Sequence, residues 1–203
     1  MQQLERLEQS EDEWLALAQG GDADAFSHIV ELYQRPVYNL CYRMLGNSQE
    51  AEDAAQEAFL RAFRAIKRYD PKRKFASWLL SIAANYCIDQ HRKKRATLVD
   101  IEAVAPTDLI ENKPGVERQV LAQEASEEIQ ILLADLSPLD RAAIVLHYWH
   151  DYSYVEIADE LQLSESAVKS RLHRARKSLA FAWQAQGANS GVMERRQHEA
   201  ATA

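Results

Sequence analysis

The stretch YVEIADELQLSESAVKSRLHRARKSL, residues 154–179, decides the fold of the C-terminal part of this chain. Just before it and within its first turn, Ser153 and Glu156 form a capping box, which predicts a short helix. Residues 162–164 predict a tight turn, and the next helix is expected to run past Leu179. A short helix, a tight turn and a longer helix form the pattern of a helix-turn-helix, whose second helix enters the major groove of DNA.

The predicted second helix separates its side chains by chemistry. The apolar ones share one narrow arc of a helical wheel and are expected to face a core: Val168, Leu172, Ala175 and Leu179. Opposite or beside that arc lie hydroxyls, an imidazole and cations, which suit base edges and phosphates: Ser166, Lys169, Ser170, His173, Arg174, Arg176 and Lys177. Arg171 lies nearer the border of the core and is expected to reach back to the phosphate backbone. The alternative to DNA contact is a solvated helix whose C-terminal cations are favoured by the helix dipole.

The charge of the whole chain bears on this choice, because its formal net charge is -7 and its pI about 5.4. Such a protein is repelled by a polyanion unless its charge is segregated. Residues 96–135 contain two basic and nine acidic side chains, so this segment alone matches the net charge and the remainder is neutral on balance. Pro106 and the pair Pro114-Gly115 predict that the segment begins as a linker.

The composition predicts a folded, all-α and cytoplasmic protein. Hydrophobic residues make up 47% of the 203 positions, enough for the cores of one or two small domains. No run of about 18 uncharged apolar residues occurs and the N-terminus lacks a signal-peptide pattern, so no direct membrane insertion is expected. Apolar residues recur at helical spacing almost throughout. Cys41 and Cys87 lie outside any metal-binding motif, so both are predicted to be buried apolar residues, and no metal or cofactor is expected.

Three helices are predicted before the linker. An apolar stripe from Asp22 to Leu45 predicts the first helix, which Pro36 is expected to kink or split. The second is predicted from Ser48 to about Tyr69, and the third from Ser77 to Arg95. Between them the polar sequence YDPKRK, residues 69–74, predicts a turn.

These elements predict two small helical domains joined by an acidic linker, the C-terminal domain being the helix-turn-helix. The first domain is predicted at residues 1–95, the linker at 96–125 and the second domain at 126–185. Ser137 as N-cap, with Pro138 after it, predicts the first long helix of the second domain. Residues 186–203 have little to bury and are predicted to be a disordered tail.

Two segments resemble conserved regions of the sigma-70 family, in particular of sigma factors of the extracytoplasmic function (ECF) type. Residues 24–95, which include AEDAAQEAFLRAF, resemble the second region of these proteins. The segment LSPLDRAAIVLHYWHDYSYVEIADELQLSESAVKSRLHRARKSL, residues 136–179, resembles the fourth region. The order of the two segments, their spacing and the acidic linker match as well. Within the family the sequence looks most like envelope-stress sigma factors of Gram-positive bacteria.

The resemblance implies a two-domain adaptor that binds core RNA polymerase at its clamp and flap regions and recognises the two elements of promoter DNA. The first domain would dock on the polymerase, recognise the minus-ten element and help to melt it, and the second would recognise the minus-35 element. The docking residues carried over from AEDAAQE are Glu52, Asp53, Gln56 and Glu57. The helix dipole and pairing between successive turns would also favour these acids, so spacing alone leaves both interpretations open.

The resemblance also assigns the minus-ten element to the loop after the second predicted helix and to the helix that follows. Reading single-stranded bases requires stacking surfaces, polar edges and nearby cations. These are supplied by Tyr69, Lys72, Arg73, Lys74, Phe75, Trp78 and Asn85. The basic cluster at residues 91–95, with Arg92 and Lys93, is expected on phosphates of the duplex just upstream. For Trp78 a place in the core is the alternative, since it shares helical spacing with apolar neighbours.

Other expectations follow from the resemblance or from what the sequence lacks. The linker would pass near the nascent RNA, although a plain solubilising tether explains the same composition. An anti-sigma factor, commonly membrane-anchored in this family, is an expected partner. An enzyme is not expected, because the histidines are scattered and no glycine-rich phosphate loop occurs. The rival interpretations are an autonomous helix-turn-helix transcriptional regulator that uses residues 137–180 alone and a helical scaffold that sequesters partners.

Overall fold

The structure, a computed structural model, describes the backbone of residues 10–100 and 128–200 and the side chains of residues 10–94 and 128–184. The chain divides into two compact units, residues 1–108 and 109–203. Regular structure in the described residues is entirely helical, which confirms the predicted all-α class. Within these ranges no helix combines the length and the apolar character that crossing a membrane requires. Most of the predicted linker, residues 101–125, lies outside the described residues.

The described residues of the N-terminal unit form four α-helices. They are α1 (Glu11–Gly20), α2 (Ala23–Leu45), α3 (Ser48–Ala65) and α4 (Phe75–Asp100), with a 3-10 turn at Ile66–Arg68. Ser10, Asp22 and Asn47 cap the first three helices, because each side chain accepts a hydrogen bond from a backbone N–H of the first turn. Gly21 and Gly46 end α1 and α2 with φ of 102° and 76°, a conformation that costs glycine little. The chain therefore reverses within two residues at each of these ends.

A face of small residues on α3 sets the packing of this unit. Ala51, Ala54, Ala58 and Ala62 are at most 1% exposed. Because these side chains end at Cβ, α2 and α4 can both pack closely against α3. Larger buried side chains fill the space around this face, among them Ile29, Leu40, Met44 and Leu79. The opposite side of α3 and one side of α4 are left to solvent.

Helix boundaries in this unit differ from the sequence prediction at three places. Of the two expected effects of Pro36, a kink or a split, the split does not occur, because α2 continues as one helix through it, and Val37 just after it is fully buried. Proline removes only one backbone donor, and burial of the flanking turns offsets that loss. α3 gives way to the 3-10 turn after Ala65 rather than extending to Tyr69. α4 begins two residues before Ser77, because the buried Phe75 ring draws the first turn into the core, and its backbone is helical to Asp100.

The C-terminal unit contains the predicted helix-turn-helix. Residues 128–134 are helical and precede α5 (Pro138–Trp149), α6 (Tyr154–Glu160) and α7 (Glu165–Ala200). Ser137 caps α5 by accepting from the N–H of Asp140, and Ser153 forms the expected capping box with Glu156 on α6. The core between these helices is apolar and includes Leu133, Ile144, Val145, Leu146 and Ile157.

The end of the chain differs from the prediction of a disordered tail from residue 186. The backbone of α7 is helical as far as Ala200. The segment lacks proline, and alanine, glutamine, glutamate and arginine are good helix formers, so its local preferences allow α7 to continue.

Candidate nucleic-acid interface

Helix α7, the second helix of the helix-turn-helix, is held in place by a tight turn and an apolar stripe. The turn is closed by a hydrogen bond from the Leu163 N–H to the carbonyl of Ala158 (2.8 Å). Ser164 then starts the helix, because its hydroxyl accepts from the N–H of Ala167 (3.2 Å). Val168, Leu172 and Ala175 are at most 1% exposed, as their arc on the helical wheel predicted. This burial fixes which side of α7 faces the solvent.

The solvent-facing side of α7 presents seven of the eight side chains predicted for the minus-35 element. They are Ser166, Lys169, Ser170, His173, Arg174, Arg176 and Lys177, and all are exposed. Lys169 donates to Glu165 one turn earlier (2.8 Å), and this contact raises the pKa of Lys169. The ammonium group is therefore firmly charged, but it shares its hydrogen bonds with a carboxylate. Hydroxyls, an imidazole and four cations on one helix face can contact both base edges and phosphates.

Arg171, the eighth of these residues, is engaged inside its own unit. Its Nη1 atom donates to Oδ1 of Asp140 in the first turn of α5 at 2.8 Å, and the two side chains are only 24% and 16% exposed. Nη2 of Arg174 lies 3.8 Å from the same oxygen, but the Arg174 side chain is 61% exposed. A direct, partly buried ion pair holds its groups more firmly than an exposed one. Arg171 thus ties α7 to α5, whereas Arg174 remains at the surface, and the predicted phosphate contact of Arg171 stays a prediction.

The loop between the 3-10 turn and α4 is a compact turn with an exposed basic rim. Asp70 organises it, because its carbonyl accepts from the N–H of Arg73 and its carboxylate accepts from the N–H of Lys72, both at 3.0 Å. The hydroxyl of Tyr69 also donates to the carbonyl of Arg73, which closes the loop across its width. Lys72, Arg73 and Lys74 are consequently exposed side by side at the tip. Exposed cations of this kind can contact a phosphate backbone.

The aromatic residues around this loop divide into buried and partly exposed ones. Tyr69 and Phe75 are 6% and 3% exposed, and their rings meet edge to face with centroids 5.3 Å apart. Trp78 packs against both, at 5.2 Å and 5.5 Å, and keeps part of its ring at the surface. Of Tyr69, Phe75 and Trp78, Trp78 is therefore the one whose ring offers a base a stacking surface. Tyr69 and Phe75, which we expected to stack on bases, instead form the floor beneath the loop.

A polar stripe on α4 continues from Trp78. Asn85 and Arg92 follow it at seven-residue steps, which place all three on one side of the helix, and Lys93 lies next to Arg92. Asn85, Arg92 and Lys93 are exposed. The basic cluster at 91–95 is otherwise split, because His91 bonds the carbonyl of Met44 (2.7 Å) and Lys94 pairs with Glu50. The stripe combines a partly exposed ring, an amide and cations beside the basic loop.

The acidic face predicted for polymerase docking lies on the outer side of α3. Glu52, Asp53 and Gln56 are exposed, whereas Glu57 is partly buried. Glu57 accepts a hydrogen bond from Arg61 at 2.8 Å, and this contact is the main reason why its pKa is lowered. The guanidinium of Arg61 also lies 4.7 Å above the ring of Tyr86 on α4. Arg61 thus keeps Glu57 ionised and orients it, and Arg61 is itself held by its contact with α4.

Two residues with structural importance were not among the predicted site residues. Asp140, in the first turn of α5, pairs with Arg171, which lies 31 residues away. Gln19 on α1 donates to the carbonyls of Ile66 (3.2 Å) and Tyr69 (2.8 Å), at the entrance to the basic loop. No local pattern in the sequence indicates either long-range contact.

Comparisons with known proteins agree with this arrangement. The family model of sigma-70 region 2 matches residues 29–97, and that of sigma-70 region 4 matches residues 126–179. The ECF RNA polymerase sigma factor SigW of Bacillus subtilis is 42% identical over 166 residues, which cover 78% of this chain and 89% of SigW.

Two solved structures are also similar to this chain. One is CnrH, determined in complex with the cytosolic domain of CnrY, with 27% identity, a TM-score of 0.61 and coverage of 85% of this chain and 96% of CnrH. The other is the sigma factor RpoE of Bartonella quintana, determined with the anti-sigma factor NepR, with 22% identity, a TM-score of 0.60 and coverage of 78% of this chain and 96% of RpoE. The helical fold, the two matching regions and the identity to SigW over most of both chains lead to one conclusion: this chain belongs to the ECF sigma factors of the sigma-70 family.

Proposed function

We propose that this ECF sigma factor initiates transcription by docking on core RNA polymerase through α3, capturing the minus-ten element with the α4 stripe and reading the minus-35 element with α7. The observation that carries the proposal is that each compact unit has one surface where cations lie beside side chains able to read bases. The resemblance supplies the roles, and the exposure of these residues supports them.

Minus-35 recognition belongs to the exposed face of α7. Ser170, His173 and Lys177 lie on the exposed face of the helix. A helix with such a face can lie in the major groove with these groups toward base edges. Arg174 and Arg176 flank that row and are suited to the phosphates on either side. We assign Arg171 to holding the helix on α5 and remove it from the DNA-contacting set.

Minus-ten capture belongs to the α4 stripe and the basic loop. A base that leaves the duplex needs a surface for stacking and a polar edge for reading, and Trp78 and Asn85 offer these on one side of α4. Lys72, Arg73 and Lys74 attract the single strand, while Arg92 and Lys93 hold phosphates of the duplex upstream. Energy gained from the captured base offsets part of the cost of unstacking the duplex.

We assign docking on the polymerase to Glu52, Asp53, Gln56 and Glu57. The three carboxylates suit a basic surface of the clamp, and the amide of Gln56 can add hydrogen bonds. As in the complex of RpoE with NepR, an anti-sigma factor is a proposed partner, and it would compete for these surfaces. The protein acts in the cytoplasm, where the polymerase and the DNA are, and it contributes binding energy while the polymerase performs the chemistry. It requires no cofactor of its own.

Run-off transcription with purified bacterial core polymerase and a library of promoter fragments tests the proposed function. We expect specific transcripts only when the protein is added, and the recovered promoters give both elements. Arg174→Ala should weaken use of the minus-35 element, and Asn85→Ala should impair opening more than polymerase binding. Tight DNA binding by the protein alone, without transcripts, would favour the autonomous helix-turn-helix regulator instead.

A further inference from the structure

We propose that α1 is the positioning element of the basic loop and that Gln19 is its key residue. The proposal rests on the proposed role of that loop and of α4 in minus-ten capture. Gln19 is partly buried, and its single amide group donates to two backbone carbonyls, those of Ile66 and Tyr69. These carbonyls belong to the 3-10 turn and to the first residue of the loop. The amide therefore fixes where the loop begins after the 3-10 turn.

The C-terminal end of the loop is linked to the start of α1 through Tyr33 of α2. The hydroxyl of Tyr33 donates to the Glu11 carboxylate at 2.7 Å, and the ring of Tyr33 meets Phe75 edge-on with centroids 5.4 Å apart. Phe75 is the first residue of α4 and contacts Trp78. Burial, and after it the bond to Glu11, raises the pKa of Tyr33, so its hydroxyl stays protonated and keeps donating. α1 therefore contacts the entrance of the loop directly and is linked to its exit through Tyr33 of α2.

α1 is itself held rigidly enough to act as a support. Ser10 and Glu13 form a capping box at its start, and Leu15 and Ala18 are buried in the core. The ring of Trp14 stacks on His28 of α2 with centroids 5.1 Å apart. A short helix anchored on α2 in this way can transmit its own position to the loop through Gln19. Without the two hydrogen bonds, the Tyr69 backbone loses its fixed place above the floor formed with Phe75.

The functional consequence concerns the opening of the promoter. Capture of a base requires the loop and Trp78 to be in place when the duplex breathes, and a loop that must first be ordered captures less efficiently. Loss of each hydrogen bond should reduce the opening of a paired promoter by roughly threefold to tenfold. Docking on the polymerase uses the outer face of α3 and should not change.

The test compares Gln19→Glu with wild type in three measurements. The carboxylate of Q19E has the size of the amide but cannot donate to a carbonyl. We measure affinity for core polymerase, opening of a fully paired promoter, and transcription from the same promoter with its minus-ten region already unpaired. Because two hydrogen bonds are lost, we expect opening of the paired promoter to fall by about tenfold or more, with polymerase affinity and transcription from the unpaired template near wild type. Gln19→Lys, which restores a donor, should recover part of the loss, and Gln34→Glu on an exposed site of α2 should behave as wild type.

Asn85→Ala, measured in parallel, separates this inference from the proposed function. If N85A impairs opening and Q19E does not, the positioning role is wrong while the capture site stands. If Q19E impairs opening and N85A does not, the assignment of Asn85 is wrong and positioning of the loop by α1 is supported. If neither variant has an effect, both proposals are wrong. If all three activities of Q19E fall together with its folded fraction, α1 has only a structural role and the inference is overturned.

Discussion

At the scale of single residues, two arginines of α7 lie beside the same carboxylate, that of Asp140, but differ in distance and exposure. Arg171 donates to Asp140 at 2.8 Å from a partly buried position, whereas Arg174 is 61% exposed. Helical spacing places Arg171 nearer the border of the apolar arc than Arg174, but it does not reveal that Arg171 has an acidic partner on another helix. The distinction depends on whether an acidic partner on another helix lies within reach.

Substituting each arginine by alanine should separate the two roles. Arg174→Ala should reduce the slope of log affinity against log salt by about 0.9 for minus-35 DNA, because one phosphate contact is lost. Its free energy of unfolding should stay within about 0.5 kcal/mol of wild type. Arg171→Ala should lower the free energy of unfolding by about 1–3 kcal/mol, because Asp140 loses its partner, and leave the salt slope unchanged. Fluorescence anisotropy and urea unfolding measure both quantities, and a reduced salt slope for R171A would return it to the DNA-contacting set.

The two cysteines provide a second test at this scale. Cys41 and Cys87 are free and fully buried, as the sequence predicted, and the hydrogen bond between them together with burial raises the pKa of Cys87. A buried thiol with a raised pKa has almost no reactive thiolate near neutral pH. Iodoacetamide should therefore label neither cysteine of the folded protein, and labelling should follow unfolding as urea is added. Rapid labelling in the absence of urea would contradict this packing.

At the scale of elements, short helices depend on their caps. α6 has only the seven residues Tyr154–Glu160, and its Ser153 hydroxyl accepts from the N–H of Glu156 at 3.2 Å. The Glu156 carboxylate accepts in turn from the N–H of Ser153 at 2.8 Å. So short a helix has few hydrogen bonds of its own, and the capping box supplies a large share of its local stability.

Removing this cap tests the dependence. Ser153→Ala should lower the free energy of unfolding by about 0.5–2 kcal/mol, measured by thermal or urea unfolding. Ser153→Thr retains a hydroxyl and should lose less. Ser178→Ala on the exposed side of α7 is the matched control and should behave as wild type. An unchanged stability for S153A would mean that packing of Ile157 and Ala158 alone holds α6 in place.

At the scale of the whole molecule, the proposed DNA-reading surfaces belong to different compact units. Asn85 lies in the N-terminal unit and Arg174 in the C-terminal unit. Residues 96–135 carry a net charge of −7, equal to that of the whole chain, so the remainder of the chain is neutral on balance. Acidic residues therefore do not exceed basic ones in the parts of the chain that carry the two surfaces.

A double-mutant cycle tests whether the two surfaces act on separate steps. Arg174→Ala and Asn85→Ala should reduce transcription by independent factors, so that the double variant shows their product within about twofold. Run-off transcription from a promoter with both elements measures the four proteins. On a promoter with a scrambled minus-35 element, the effect of R174A should disappear while that of N85A remains. Strong coupling between the variants would indicate that the two elements are recognised in one concerted step.

The sequence alone determined the all-α class, the caps, the helix-turn-helix and the buried arc of α7, because these depend on residues within a few turns of one another. It also determined the family, through motifs that are themselves local. Only the tertiary structure decided that Tyr69 and Phe75 lie beneath the loop, that Arg171 pairs with Asp140 and that Gln19 holds the loop entrance. Each of these contacts joins residues of different helices, and whether an aromatic ring or a guanidinium faces solvent or a neighbour depends on how the helices pack. Helical periodicity gives the direction of a side chain, and packing determines what it meets.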